Sequence, residues 1–431
     1  MGTLRFVINF NIAIVVLMTA AYFYQYFYTV VGLIFRKAKP EKEASQFHKY
    51  ATLICARNEE SVIGELIDSL KKQNYPKDLL DIYVLADNCN DGTSRVAREA
   101  GAKVYERFNN THIGKGYALD FLISKIKEDK GEGAYDGYFI FDADNIVDPN
   151  FVAEMNKTHE RGYEVITCYR NSKNFGANWI TAGYSIWFLR EARFLNYPRM
   201  LLGNSCAVSG TGFFVSQSII DANNGWPFYM LTEDIQFSVN CVINGQKIGY
   251  CDRAMVYDEQ PSSFSQSWNQ RLRWAKGFFQ VDAKYLLKLI KGVFTSKNGK
   301  MSCYDIFMTV APCVFLTMFI VIFNLLVFLS FASQPHFLAY LIADEALHFL
   351  AFAVFNFYTG MVIYGAITVV CEWKRIKATT WQKVKYLLIF PIFMATYIPI
   401  TFAALRRNVG WTHIKHYSTS ALNMLAAEKH S

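Results

Sequence analysis

The chain has 431 residues, 52% of them apolar, and a formal net charge of +8. Nine cysteines without a C-x-x-C pair argue against a zinc ribbon or a disulfide framework and agree with a reducing compartment. No basic tract with interleaved aromatics occurs in the polar part of the chain, so the positive charge fits attraction to anionic lipid better than nucleic-acid binding, and no nucleic-acid partner is expected.

Taken in chain order, residues 6–35 carry no charged side chain, a run longer than the roughly 20 residues that cross a bilayer. It reads as a retained anchor, because a secretory signal would have a shorter apolar region and a small-residue cleavage site. Arg36, Lys37, Lys39 and Lys42 flank it on one side and Arg5 on the other, so the positive-inside rule puts the polar stretch of about 50–300 in the cytosol. From "YATLICA" (50–56) onward, short apolar runs alternate with helical patterns. "DIYVLAD" (81–87), "AKVYER" (102–107), "GYFIFDAD" (137–144) and "EVITCY" (164–169) are the further strands, with helices near 60–73, at 93–100, from Ile113 and after Pro149. This βαβα succession with near-continuous apolar strands predicts an α/β domain with a mainly parallel sheet, covered on both faces. Ligands of such sheets bind outside the carboxyl ends of the strands, where Asp87, Asn88, Asp142 and Asp144 fall. The absence of a G-x-G-x-x-G after the first strand and of a Walker-type loop weakens a dehydrogenase or P-loop ATPase reading.

"SWNQRLRWAKG" (267–277) opens an amphipathic helix with Trp268, Leu272, Ala275, Phe279, Ala283, Leu286 and Ile290 as its apolar stripe. Apolar blocks then fill 306–332, 349–371 and 386–405, with Asp344 and Glu345 in the link between two of them. The block 386–405 is flanked by basic residues on both sides and carries Pro391 and Pro399; it reads as interfacial or re-entrant, with a full span as the alternative. The expected organisation is an anchor over 1–36, a catalytic domain over 48–263, interface helices over 264–300, a membrane region over 301–405 and a cytosolic tail over 406–431. His413 and His416, with no third ligand nearby in sequence, read as membrane-proximal polar residues.

Four short patterns carry chemistry. Asp142 and Asp144 at spacing i, i+2 on an extended chain point to one face, and two like charges so placed repel unless a cation lies between them. Magnesium suits such a pair, since it takes one or two protein carboxylates and fills its octahedron with water and phosphate oxygens; a polar turn is the bland alternative. In "MLTEDIQF" (230–237), Thr232, Glu233 and Asp234 suit either an ordinary helix start or a general base facing the cleft. Gln270, Arg273 and Trp274 combine a guanidinium fork for phosphate oxygens with a flat face for a sugar ring.

Together, Asp87, the Asp-Ala-Asp of 142–144, Thr232-Glu233-Asp234 and Gln270-x-x-Arg273-Trp274 resemble the D, DxD, TED and QxxRW signature of processive family-2 glycosyltransferases, the cellulose, chitin, hyaluronan and poly-N-acetylglucosamine synthases. The resemblance covers roughly residues 50–300 and the flanking membrane segments. It implies a GT-A domain, a nucleotide-sugar donor, usually a uridine diphosphate sugar, and Mg²⁺ or Mn²⁺. It implies donor contacts at Ala56, Arg57, Asn58, Glu59, Asp87, Lys115, Asp142 and Arg273, and a metal held by Asp144 with Asp142. "ADN" stands where many members have a second acid, so Asp87 must serve alone. Gly210, Thr211 and Gly212 ("SGTGFF"), Glu233, Gln270 and Trp274 fall to the acceptor, and Asp234 to the catalytic base. "RNVGWTHIKH" (407–416) resembles a gating segment through Trp411.

The expected activity is inverting transfer from a UDP-sugar to a growing β-linked polysaccharide at the plasma membrane, with export or regulatory subunits as separate chains. Transfer of a single sugar to a lipid-linked acceptor is the alternative. A transporter with a cytosolic regulatory domain would need paired ionisable groups within its spans, and the apolar blocks are almost bare of charge.

Overall fold

The computed structural model describes residues 1–35, 42–297, 299–311, 313–407, 409–410 and 416. Arg36, Lys37, Lys39, Trp411, His413 and Lys415, which carried parts of the orientation and gating expectations, lie outside the described residues.

Among the described residues eight strands form one sheet: β1 (Tyr50–Ala56), β2 (Leu80–Asp87), β3 (Lys103–Arg107), β4 (Gly137–Phe141), β5 (Ile146–Val147), β6 (Val165–Ser172), β7 (Phe213–Ser216) and β8 (Ile248–Asp258). Their order is β3-β2-β1-β4-β7-β6-β8-β5. The first four in this order are parallel, as the alternating pattern predicts, and β6 runs parallel to β8. Strand β7 is antiparallel to both its neighbours, and β5 is antiparallel to β8, so the sheet is mixed in its second half.

Period-two alternation makes the core double-sided. Ala51 and Leu53 of β1 pack with Ala118, Leu119 and Leu122 of the helix Lys115–Lys130 on one face. Tyr50 and Ile54 pack with Ile63, Leu66 and Ile67 of the helix Ile63–Lys71 and with Phe151 on the other. Register then sets the site: Ala56 lies opposite Ala86, and Ile54 opposite Phe141. The carboxyl ends of β1, β2 and β4 therefore open on one edge. Asn58 and Asn88 turn the chain away from β1 and β2 with φ of 57° and 53°, a left-handed conformation that asparagine tolerates better than most residues.

Among the described residues, three helices are long and apolar enough to cross a membrane: Gly2–Ile34, Phe337–Cys371 and Thr380–Arg406. The pair Lys300–Val310 and Phe315–Phe331, bent by 51°, makes up to a fourth span. Thr380–Arg406 is thus long enough for the full-span alternative. A reciprocal amide pair at 2.9 Å between buried Asn11 and Asn324 ties the first helix to the bent one. Asp344 and Glu345 do not occupy a link; they lie inside Phe337–Cys371, where His348 pairs with Asp344 at 3.3 Å.

The helix Phe264–Thr295 buries Arg271, Leu272, Ala275, Val281, Tyr285 and Leu289. This face is rotated from the expected stripe, and Ala283 and Ile290 are exposed. Arg271 drives the difference. Fully buried, it donates to Phe393 O at 3.3 Å and Thr396 Oγ1 at 2.6 Å, where the helix Thr380–Ala395 ends, and stacks 4.4 Å from the Phe393 ring. A guanidinium at a helix carboxyl end satisfies otherwise open carbonyls and complements the dipole.

Candidate active site

At the carboxyl edge of β1, β2 and β4 lies a cavity of about 770 Å³. Ala56, Arg57, Glu59 and Asp87 line one side, and Lys115, Asp142, Asp144 and Gly210 line the middle. Glu233, Asp234, Gln270, Arg273 and Trp274 close the other side. Thirteen of the sixteen residues singled out from the sequence thus share one wall. Asn58, Thr211 and Gly212 do not. Asn58 accepts from Asn90 N at 2.9 Å in its turn, and buried Thr211 Oγ1 accepts from Asp142 N at 2.9 Å while donating to Asn145. Gly212, at φ 66°, passes where a Cβ would meet Cys168 Sγ at 2.5 Å. All three shape the backbone behind the wall.

Acids outnumber lysines and arginines along this lining, nine to five. Lys115 Nζ pairs with Asp142 Oδ1 and donates to Gly210 O at 2.7 Å. Burial works against its charge, yet Asp142 and Glu233 hold its pKa above the ordinary lysine value. Arg107 pairs with Asp87 at 2.8 Å and donates to His112 O at 2.7 Å, fixing the β2 carboxylate from behind. Asp144, 4% exposed, accepts from Glu259 N at 3.1 Å. A Cβ on Gly210 would lie 3.8 Å from Asp234 Oδ2 and 4.0 Å from Asp142 Oδ2, so these carboxylates are no more than about twice that far apart.

Burial also raises the two acids of the TED motif. Glu233 is pushed up to about 7 by desolvation and the neighbouring Asp234 charge. Asp234 is raised by desolvation, offset by backbone N–H groups of Ile235 and Gly210 and by Lys115. Arg273 faces Glu233, Asp142 and Asp234, but desolvation outweighs them and lowers its pKa. Its Nε, with Gln270 Oε1 and Thr232 Oγ1, is buried without a hydrogen-bond partner among the described residues. Polar atoms held this way cost about 1–3 kcal/mol each unless a ligand satisfies them.

Several groups escaped the sequence reading. Arg170 of β6 bonds Asp258 at the end of β8 through Nε at 2.9 Å and lies 3.8 Å over the Phe188 ring. Asp258 and Glu259 are acids at a strand's carboxyl end, a signal the sequence did contain in "YDEQP" (257–261). His416, expected near the membrane surface, stands in the cavity against Glu59 at 3.0 Å instead. The expectation failed because its partners, Glu59 and Asp144, come from the turns after β1 and β4, far away in the chain.

Among the described residues no three carboxylate, imidazole or thiol groups form a finished metal cage. Asp142 and Asp144 nonetheless fit a hard divalent cation of the kind that completes its shell with phosphate oxygens.

The family model described as "Glycosyltransferase like family 2" matches residues 48–277. The chain belongs to glycosyltransferase family 2. Among curated relatives, this family-2 chain is 27% identical over 273 residues to the probable glycosyltransferase YdaM of Bacillus subtilis (strain 168), covering 59% of this chain and 60% of that protein. It is 25% identical over 234 residues to a beta-monoglucosyldiacylglycerol synthase of Synechocystis sp. (strain ATCC 27184 / PCC 6803 / Kazusa), covering 53% of this chain and 47% of that one. With a poly-beta-1,6-N-acetyl-D-glucosamine synthase of Staphylococcus epidermidis it shares 22% identity over 289 residues, 64% of this chain and 67% of the relative. The matches to the first two relatives thus span 60% and 47% of their length. The mannosyltransferase PcManGT from Pyrobaculum calidifontis, solved in complex with GDP-Man and Mn²⁺, superposes with a TM-score of 0.50 at 14% identity, over 90% of this chain and 98% of that one. That likeness gives the family-2 chain its fold, a GT-A domain, here accompanied by three candidate membrane-spanning helices.

Proposed function

We propose that this protein is a membrane-embedded, inverting glycosyltransferase that moves a sugar from a UDP-sugar to a growing β-linked polysaccharide. The observation that carries the reading is one cavity. Its wall holds Asp142, Asp144 and Asp234 beside unpartnered buried polar atoms of Arg273 and Gln270, and it continues past Trp274 to Met18, Met308, Phe357 and Thr401 of the candidate spans. A donor on the strand ends and an acceptor running into the membrane region would meet at Asp234.

In this scheme Asp234 removes the proton from the acceptor hydroxyl as that oxygen attacks the anomeric carbon. The bond to the diphosphate breaks in the same displacement, so a single step inverts the configuration. Arg273, already in place and shielded from water, takes up charge appearing on the departing diphosphate. Asp144 and Asp142 would hold Mg²⁺ or Mn²⁺, which supplies Lewis-acid stabilisation to the diphosphate. Lys115 keeps Asp142 oriented, and the Trp274 ring, edge-on to Tyr184 at 5.7 Å, is braced as an acceptor platform. The catalytic domain would face the cytosol, from the basic flank of the first helix.

One observation favours a second reading, transfer to a lipid-linked acceptor. The membrane end of the cavity is rich in Met, Phe and Leu side chains, which suit an acyl chain as well as a sugar ring. Full-length protein in nanodiscs, given a panel of radiolabelled nucleotide sugars and Mn²⁺, separates the two: high-molecular-weight product from one donor supports the polymerase, and a single labelled lipid supports the alternative. Asp234→Asn should retain UDP binding by calorimetry and lose transfer by about 10²- to 10⁴-fold, the range a general base supplies. Near-normal transfer by this variant would refute the base assignment.

A further inference from the structure

Glu191 is the last residue of the helix Trp179–Glu191 and lines the active-site cavity, yet the scheme above gives it no part. The chain continues from it as a π-helical turn over Ala192–Asn196, an irregularity found frequently at functional sites. Two short links locate its carboxylate. Ser209 Oγ donates to Glu191 Oε2 at 3.4 Å, and the N–H of the next residue, Gly210, supports Asp234. Phe188, one helical turn before Glu191, sets its ring at 71° to that of Trp274, with the centroids 6.3 Å apart. Asp234, Trp274 and Glu191 therefore border one part of the cavity, where an acceptor hydroxyl must lie for Asp234 to reach it.

The protein itself gives this carboxylate little. The Ser209 contact is longer than the roughly 2.5–3.0 Å of a well-formed O–H···O bond. The nearby guanidinium groups are committed elsewhere, Arg199 to Asp305 at 2.6 and 2.7 Å and Arg170 to Asp258 at 2.9 Å. Among the described residues neither of them forms an ion pair with Glu191. Burial raises the Glu191 pKa, and the more distant fields of Arg199 and Arg170 offset that only in part. The side chain is nevertheless partly exposed, so its carboxylate is open to a ligand. A purely structural acid would be closed into a pair, as Asp305 and Asp258 are.

We infer that Glu191 binds the acceptor's terminal sugar through a ring hydroxyl other than the attacking one, so that the acceptor is a polyol and not a lipid alcohol with a single hydroxyl. The inference rests on the reading of Asp234 as the base, which Asp234→Asn tests separately. A carboxyl group suits a hydroxyl in either protonation state: ionised it accepts, protonated it also donates. Anchored at both Asp234 and Glu191, with one face on Trp274, a sugar ring presents one particular hydroxyl, and that choice fixes the position of the new linkage. A lipid alcohol would satisfy Asp234 and leave Glu191 unmet, and sites built to bind a substrate hydroxyl reject analogues that lack it. The rival is a positioning role, in which Glu191 acts through Ser209 on the Gly210 backbone that supports Asp234.

The test uses full-length protein in detergent with a panel of UDP-sugars as donors. The acceptors are methyl β-glucoside, methyl β-N-acetylglucosaminide, the monodeoxy forms of each, and dioctanoylglycerol as a lipid alcohol. Released UDP reports total turnover, and labelled glycoside reports transfer. In the wild type, removing one hydroxyl besides the attacking one should lower kcat/KM for the glycoside by roughly 10- to 100-fold, the worth of a hydrogen bond to a charged group. Glu191→Ala should lose about as much with the intact glycoside and nothing further with that deoxy form, while its UDP affinity by calorimetry stays unchanged. Glu191→Gln, which keeps the shape and can still hydrogen-bond, should lose less. A wild type that tolerates every such deoxygenation, a measurement that needs no variant, overturns the inference. Losses that simply multiply in Glu191→Ala overturn it in favour of the positioning role. Transfer by the wild type to dioctanoylglycerol and to neither glycoside overturns it and leaves Asp234 as the base. No UDP release from any donor overturns both this inference and the proposed function beneath it.

Discussion

At the scale of single residues, the pair Glu233 and Asp234 concentrates the chemistry. A base works only when unprotonated, and desolvation raises Asp234 above the ordinary carboxylate value, so turnover should fall as the solution is acidified. Glu233, raised to about 7 by desolvation and the Asp234 charge, keeps its proton until near neutrality. Above that pH a further negative charge appears beside Asp234 and Asp142, where the diphosphate must depart. The wild type should therefore lose kcat/KM for the donor as pH rises through about 7, and Glu233→Gln should abolish that decline while keeping the acid limb. A decline of the same size in the variant would assign the alkaline limb to another group. Asp142, Asp144, Asp234 and Arg273 were legible because each sits in a short pattern whose chemistry needs those residue types close together. His416 was not: it meets Glu59 across 357 positions, a proximity set by chain closure and not by any local pattern. Arg170 and Asp258 became partners through the β6–β8 register, which a single sequence does not print.

Elements decide whether these residues meet. The TED turn and the QxxRW helix are separate in sequence, and they touch because Gly277 leaves room. A Cβ there would lie 2.5 Å from both Cγ2 and Oγ1 of Thr232, closer than real contacts allow. Gly277→Ala should push Phe264–Thr295 away from Thr232 and shift Arg273 relative to Asp234. Transfer should fall on the order of 10²-fold, as displacements of about 1 Å can cause, while exposed Lys284→Ala on the same helix leaves it unchanged. An active Gly277→Ala enzyme with wild-type kcat would show that this contact does not set the geometry. The helical period of this segment was readable, but its buried face was not. A pattern of apolar residues could not anticipate that Arg271 would be fully buried among Tyr184, Phe393 and Tyr397. Likewise the apolar run of β7 gave no sign of its direction, because parallel and antiparallel strands buried on both faces read alike.

At the scale of the whole molecule, the cavity joins an aqueous-type active site to helices long enough to span a bilayer. An enzyme that only anchors itself has no use for that continuity. One that threads its product or draws in a lipid acceptor does, and a steric test separates these two. Ala311 lines the cavity at the bend after the helix Lys300–Val310, with φ −59° and ψ 138°, a backbone that any side chain accepts. It belongs to a different element from the acids and Arg273, so a bulky group there should obstruct passage, and UDP binding by the variant, measured by calorimetry, checks that the donor site is intact. Ala311→Trp is expected to release UDP and form short products while the long ones disappear from a sizing gel. For a lipid-linked acceptor the same variant would instead raise KM for the lipid, with product length unchanged at one sugar. Long product made at the wild-type rate would mean that the growing chain does not travel past Ala311, and the membrane end of the cavity would need another occupant.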